Sequence, residues 1–263
     1  MRKKVIAFAA TLLLPVSLMA NSGGENLEPA NIDLHDHKSL QNGAKYFVNY
    51  CMGCHGLKAS RYNRIAKDMG LPVNPKQTGK TGKEADQVAD ANAKLITENL
   101  IFTTDEEGKP SSLGSLMLSS IPPKDAAKWF GAPPPDLSTV GRLRGADWIY
   151  NYLKSFYLDP KRPTGVNNTV FKNVGMPHVL WELQGWQKLE EGEHGHHLVL
   201  DKPGKLSPEE YDVVVRDLTN FLTYVGEPAQ LVRKKYGVFA MILLVIFIGV
   251  AYAMKKEFWK DIH

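Results

Sequence analysis

The 263-residue chain is 43% hydrophobic and 23% charged, with a formal net charge of +4 at pH 7 and two cysteines. That length supports a sizeable core, and two cysteines exclude a disulfide-rich scaffold. The basic excess sits in the ends: residues 2–4, 233–235 and 255–263 carry +7 between them, which leaves residues 21–232 at about −3 and removes the electrostatic argument for nucleic-acid binding.

Residues 1–20 read as a secretory signal, with Arg2, Lys3 and Lys4 ahead of an apolar stretch and a cleavage point after Ala20. An uncleaved anchor is the alternative. Residues 21–36 are polar and without pattern, an extended lead-in. Leu40, Ala44, Phe47, Val48 and Cys51 fall at near-helical spacing and predict a helix over 39–51.

That helix runs into Cys51-Met52-Gly53-Cys54-His55, a C-x-x-C-H pentapeptide that holds both cysteines of the chain. The pattern is the attachment site of a covalent c-type haem: the thiols add to the haem vinyl groups and the histidine takes one axial position on the iron. A thioredoxin-like redox pair would want a βαβ setting, which the flanks do not suggest. A zinc site would need two further ligands, with no cysteine left to supply them. The single motif means one haem c and a protein that moves electrons.

Further along, 62–69 predicts a short helix, 73–83 a loop, and 85–100 another helix. Residues 122–145 carry the proline-rich loop Ala132-Pro133-Pro134-Pro135-Asp136-Leu137-Ser138, and 147–156 an aromatic helix. Residues 178–200 read as strand or hairpin. The best-marked helix begins at Ser207-Pro208-Glu209-Glu210, an N-cap, a proline at the first helical position and a capping-box glutamate. Its apolar stripe runs from Tyr211 to Val225, and Gly226 and Pro228 end it.

Residues 237–254 are uncharged and mostly apolar. At ~1.5 Å per residue they cover about 27 Å, enough for a slightly thin bilayer core. Basic residues stand on both sides, so the orientation rests on the signal. The organisation is thus a signal at 1–20, an exported body at 21–232, an anchor at 233–254 and a cytoplasmic tail at 255–263. This places the body in the periplasm, tethered to the bacterial inner membrane. The locally basic 58–83 and the acid-rich 182–217 are read as solvated faces, as is the histidine cluster at 194–197.

A haem used for electron transfer needs a sixth ligand. Met52 cannot reach the opposite face, so Met176, Met117 and Met69 are candidates, with His35, His37, His178 and the 194–197 cluster as imidazole alternatives. Gly175-Met176-Pro177 puts Met176 on constrained, non-helical backbone, where glycine permits close approach and proline fixes direction. The interval from His55 to Met176 exceeds a whole small cytochrome c and suggests docking surfaces in a larger assembly.

These blocks in this order resemble the cytochrome c1 family, the haem c subunits of cytochrome bc1 complexes. The likeness rests on the helix into C-x-x-C-H, on Pro134-Pro135-Asp136-Leu137-Ser138 with Arg142 and Arg144 behind it, on Pro163-Thr164-Gly165-Val166 and Gly175-Met176-Pro177, and on the capped helix and single anchor. It implies a mainly α fold: a c-type cytochrome domain with a long insert and a small β-hairpin, plus one C-terminal transmembrane helix. It further implies Cys51 and Cys54 as thioether partners, His55 and Met176 as axial ligands, Arg144 beside a haem propionate and Pro135 lining the pocket. The chain departs from the family at His178, where proline is common, at Trp148, near a position often held by tyrosine, and in the insert 62–128.

The function implied is a one-electron relay from a Rieske iron–sulfur protein to a cytochrome c, in a dimeric complex with cytochrome b. Methionine ligation suits its high potential. Catalysis then belongs to the complex, and none is expected of the isolated chain. The rivals are a stand-alone tethered carrier feeding a terminal oxidase and a haem enzyme with an open sixth site.

Overall fold

The computed structural model describes residues 27–261 apart from Glu106, Glu193 and His194; the expected signal lies outside them, as do His194 and the last two residues of the tail. Most of the body is gathered on one central helix, α8 (Pro208–Gly226). Its stripe of Tyr211, Val214, Val215, Leu218, Phe221, Leu222 and Val225 is buried throughout, as the sequence period requires. Ser207 caps it: the Ser207 hydroxyl accepts from Glu210 N at 3.2 Å and Ser207 N donates to the Glu210 carboxylate at 2.9 Å. Replacing Ser207 with alanine is expected to cost about 1 kcal/mol in denaturant unfolding, with the visible spectrum of the haem-loaded chain unchanged.

Helix α1 (His37–Tyr46) crosses α8. Asp36 caps it by accepting from Lys38 N and Ser39 N, and Leu40, Ala44 and Phe47 are buried on its inner side. The crossing is close because Gly43 has no side chain; a Cβ there would lie 2.1 Å from the Asp217 carbonyl oxygen. A polar knot marks the same crossing. The buried Asp217 carboxylate accepts from Ser39 Oγ at 2.7 Å and Asn42 Nδ2 at 3.0 Å, while Asn220 Nδ2 donates to Asp33 O and Ser39 Oγ. A carboxylate is tolerated at such depth because donors surround it. Beyond Tyr46 the chain tightens into a π-turn, Phe47–Cys51, that delivers it to the C-x-x-C-H segment.

The insert is rooted in a two-stranded antiparallel pair, β1 (Leu57–Arg61) with β2 (Leu116–Met117), in which Leu57 faces Met117. Between them come α2 (Tyr62–Asp68) and α3 (Gly82–Leu100), which sends Ile96 and Leu100 into the main core. Helix α4 (Pro123–Phe130) and helix α5 (Val140–Arg144) flank the proline-rich loop. The prolines of that region masked both helices from a pattern search.

Helix α6 (Ala146–Lys154) stops short of the predicted 156, and Phe156 instead opens strand β3 (Phe156–Leu158) against β4 (Val166–Asn168). Side-chain amides take its last carbonyls: Asn168 Nδ2 donates to Tyr152 O, and Gln184 and Gln187 both donate to Lys154 O. Carbonyls satisfied from outside need no further helical turn. In the 178–200 region a one-turn helix α7 (Trp181–Gln184) precedes a true hairpin, β5 (Gly185–Gly192) with β6 (Gly195–Pro203). The described residues thus hold three small strand pairs where one hairpin was expected.

Helix α9 (Gln230–Phe258) contains the expected anchor. Its segment Lys235–Phe258 has 24 residues and contains an 18-residue window with a mean hydropathy of 2.6 and no buried share, and it is the one helix among the described residues long and apolar enough to cross a membrane.

Candidate functional site

The predicted site residues fall into two groups. The first surrounds the pentapeptide. Cys51 ends the π-turn, and its carbonyl accepts from both Cys54 N (3.0 Å) and His55 N (2.8 Å), curling Met52–Cys54 into a tight loop. Neither cysteine is in a disulfide. Burial, with Cys54 adding to it, pushes the Cys51 thiol up to about 12. A redox-active C-x-x-C depends on a lowered pKa, so this environment opposes the thioredoxin-like alternative. No group of three or more metal-ligating side chains occurs among the described residues, which leaves the zinc alternative without support there.

His55 is 9% exposed, and its Nδ1 lies 2.7 Å from the carbonyl oxygen of Pro135. A neutral imidazole that donates through Nδ1 keeps the Nε2 lone pair for a metal, the usual division of labour in a ligating histidine. The proline-rich loop is itself buttoned to the strand after the motif. Asp136 accepts from Lys58 N at 2.8 Å and from Ser138 N at 3.0 Å; Leu137 N donates to Gly56 O at 2.9 Å; Ser138 Oγ accepts from Ala59 N at 3.1 Å. These bonds fix the loop with the Pro135 carbonyl against His55. Pro135 acts here through its backbone, while its ring is exposed.

The second group follows α5 and α6. Arg144, Trp148 and Tyr152 recur every fourth residue. The Arg144 guanidinium lies 4.8 Å from the Trp148 ring centre and 5.8 Å from that of Phe171. Trp148 stacks on Tyr152 at 4.9 Å and 9°, and the Tyr152 hydroxyl donates to Met176 Sδ at 3.3 Å. Arg142, the other arginine of the block, turns to Glu227 at 3.5 Å. Met176 is half-buried beside Phe156, Val166 and Val174. By contrast Met69 and Met117 are each 1% exposed in the main core, where their side chains pack the body. His178, also buried, stacks on Phe156, and burial lowers its imidazole to about 4.

Helix α8 joins the groups. Its buried Tyr211 donates to Leu153 O at the end of α6, and burial, with the Asp212 carboxylate and the Cys51 thiol nearby, drives its hydroxyl pKa well up. One buried and one half-buried thiol on a fixed loop, an oriented imidazole, a thioether on an aromatic wall and an exposed arginine beside that wall fit the chemistry of a covalently held haem.

Residues 29–262 match the profile of the Cytochrome C1 family. The chain belongs to the cytochrome c1 family. It is 48% identical over 271 aligned positions to cytochrome c1 of Allochromatium vinosum, covering all of both chains. It is 41% identical to the ammonia monooxygenase gamma subunit of Nitrosomonas europaea, covering 99% of this chain and 100% of that one. It is 26% identical to cytochrome b/c1 of Bradyrhizobium diazoefficiens, covering 87% of this chain and 34% of that protein. As a cytochrome c1 family member it carries haem c in covalent linkage and serves electron transport as the haem subunit of a bc1 complex. Its mainly helical body with small strand pairs and one apolar C-terminal helix is the architecture expected of that family.

Sequence reasoning named Cys51, Cys54, His55, Pro135, Arg144 and Met176, and missed Tyr152, Asp136 and Tyr211 as parts of the same arrangement. The every-fourth-residue series Arg144-Trp148-Tyr152 was the available signal for Tyr152.

Proposed function

We propose that Cys51 and Cys54 form the two thioether bonds to the haem, that His55 Nε2 and Met176 Sδ are its axial ligands, and that Arg144 pairs with a propionate. When bound, the group supplies an iron that alternates between ferric and ferrous forms. The rest is done by this chain. Pro135 O orients the His55 ring, Asp136 and Ser138 fix Pro135, and the Trp148–Tyr152 wall holds Met176. Arg144 has a planar guanidinium suited to carboxylates, already steadied on two rings. The observation that carries the reading is the 2.7 Å contact between His55 Nδ1 and Pro135 O, which leaves a metal-ready nitrogen on the same loop as the buried Cys51 and the half-buried Cys54.

Within the complex the electron donor is a Rieske iron–sulfur protein and the acceptor a cytochrome c, with cytochrome b as the membrane neighbour and the assembly dimeric. The cytochrome b/c1 relative, in which a cytochrome c1-like third belongs to a longer chain, supports the cytochrome b pairing. The body, 21–232, faces the periplasm, the anchor lies in the inner membrane, and 255–263 is cytoplasmic.

The test is a reduced-minus-oxidised optical spectrum of the chain taken from its native membrane in mild detergent and reduced with quinol. Bands of b-type haem beside one c-type band are the expected result. A c-type band alone, inert to quinol in membranes before any detergent is added, would overturn it in favour of a free tethered carrier.

A further inference from the structure

We propose that Tyr152 is a positioning residue that raises the haem's reduction potential, by donating its hydroxyl hydrogen to the sulfur of Met176. The inference rests on the reading of Met176 as distal ligand and extends it to a residue outside the ligand set.

A thioether sulfur has two lone pairs. One can serve the iron and the other accept a hydrogen bond, although sulfur is a weak acceptor. Tyr152 is placed to use the second pair, with its hydroxyl oxygen 3.3 Å from Met176 Sδ. The ring cannot swing away easily. Trp148 covers one side of it at 4.9 Å, and Phe156 meets it edge-on at 5.3 Å and 68°. Its backbone is held too, because Asn168, 0% exposed, donates to Tyr152 O at 2.8 Å. A hydroxyl so confined is pre-organised, and little entropy is lost in keeping it on the sulfur.

The sign follows from elementary donor chemistry. A hydrogen bond draws electron density from sulfur and leaves it a poorer donor to iron. A thioether is a soft ligand that already suits ferrous iron better than ferric. What it gives the ferric ion is donated electron density, and a hydrogen bond that reduces this donation tips the balance further towards ferrous, so the potential rises. The O–H dipole would act in the same direction, since its positive end points towards the sulfur that would hold the metal. In a site of low local dielectric neither effect is screened away. The arrangement also couples two regions of the haem, because Trp148, which backs Tyr152, is the ring under Arg144.

The test is Tyr152→Phe in the haem-loaded full chain, which deletes one oxygen and keeps the stacked ring. Redox titration is expected to show the ferric/ferrous equilibrium moved roughly three- to tenfold towards ferric, the worth of one modest hydrogen bond. The weak red absorption band of ferric iron bound to a thioether should persist, and the reduced form should still refuse carbon monoxide. An unchanged potential with that band present would overturn the role of Tyr152 alone. Absence of the band from the unsubstituted chain would instead overturn Met176 as ligand, and this inference with it. Loss of the band only in Tyr152→Phe would show that the hydroxyl holds the sulfur on the iron, the positioning role in stronger form.

Discussion

Replacing Met176 with leucine is expected to lower the reduction potential by more than about 59 mV, a tenfold shift for one electron, and to let the reduced haem bind carbon monoxide. Leucine keeps the apolar volume beside Phe156, Val166 and Val174, so the fold should survive. What disappears is the sulfur. On the ligation proposed above, the iron loses its soft sixth ligand, which favours the ferrous state, and gains an open face. Redox titration and a carbon monoxide difference spectrum would read both effects. If the potential does not move and carbon monoxide still fails to bind, another residue holds the sixth position. Met69 and Met117 pack the main core, whereas His178, buried as well, stacks on the Phe156 that also neighbours Met176, which makes it the first place to look.

The second large effect belongs to the scaffold. Gly43→Ala should destabilise the chain by about 3 kcal/mol, at the upper end for overpacking. The added carbon would sit 2.1 Å from Asp217 O and 2.6 Å from Phe221 Cβ, and the nearer of the two is backbone in the middle of a helix. Helix α1 would have to lift off α8, loosening the Asp217–Ser39–Asn42 knot as well. Thermal unfolding of the haem-loaded chain in detergent would measure the loss. Gly114→Ala is the control, because its new carbon meets only the Ser112 hydroxyl at 3.9 Å. Equal stability in the two variants would mean that the α1–α8 crossing is more compliant than the contact implies.

What could be read from the sequence was whatever is encoded locally. C-x-x-C-H, the Ser207 capping box and the apolar run before the tail each write their meaning into a few consecutive residues. The mainly helical cytochrome fold and the anchor followed from them and from the family likeness. Long-range needs were hidden. Nothing local says that helix α6 must stop before Phe156, because the amides of Asn168, Gln184 and Gln187 that take its last carbonyls come from elsewhere in the chain. Pro135 was expected to line the haem pocket, and nothing in the sequence says that its contact with His55 is made by its backbone carbonyl. Tyr152 read as one more member of an aromatic stripe. Only the approach of residue 176 in space sets its hydroxyl apart.

The junction between α8 and α9 has its own consequence. Glu227 binds Arg142 from α5 and Arg233 from α9, backbone bonds run from Gln230 N to Glu227 O and from Arg233 N to Ala229 O, and Leu231 packs on the main core. The first turn of α9 is thus already part of the body, and the helix runs from it into the apolar segment without a break. The heading of the redox centre around the membrane normal is written in the residue count of that turn. One residue added between Arg233 and Lys235 would swing the body by about 100°, presenting a different flank to its neighbours with every ligand still in place.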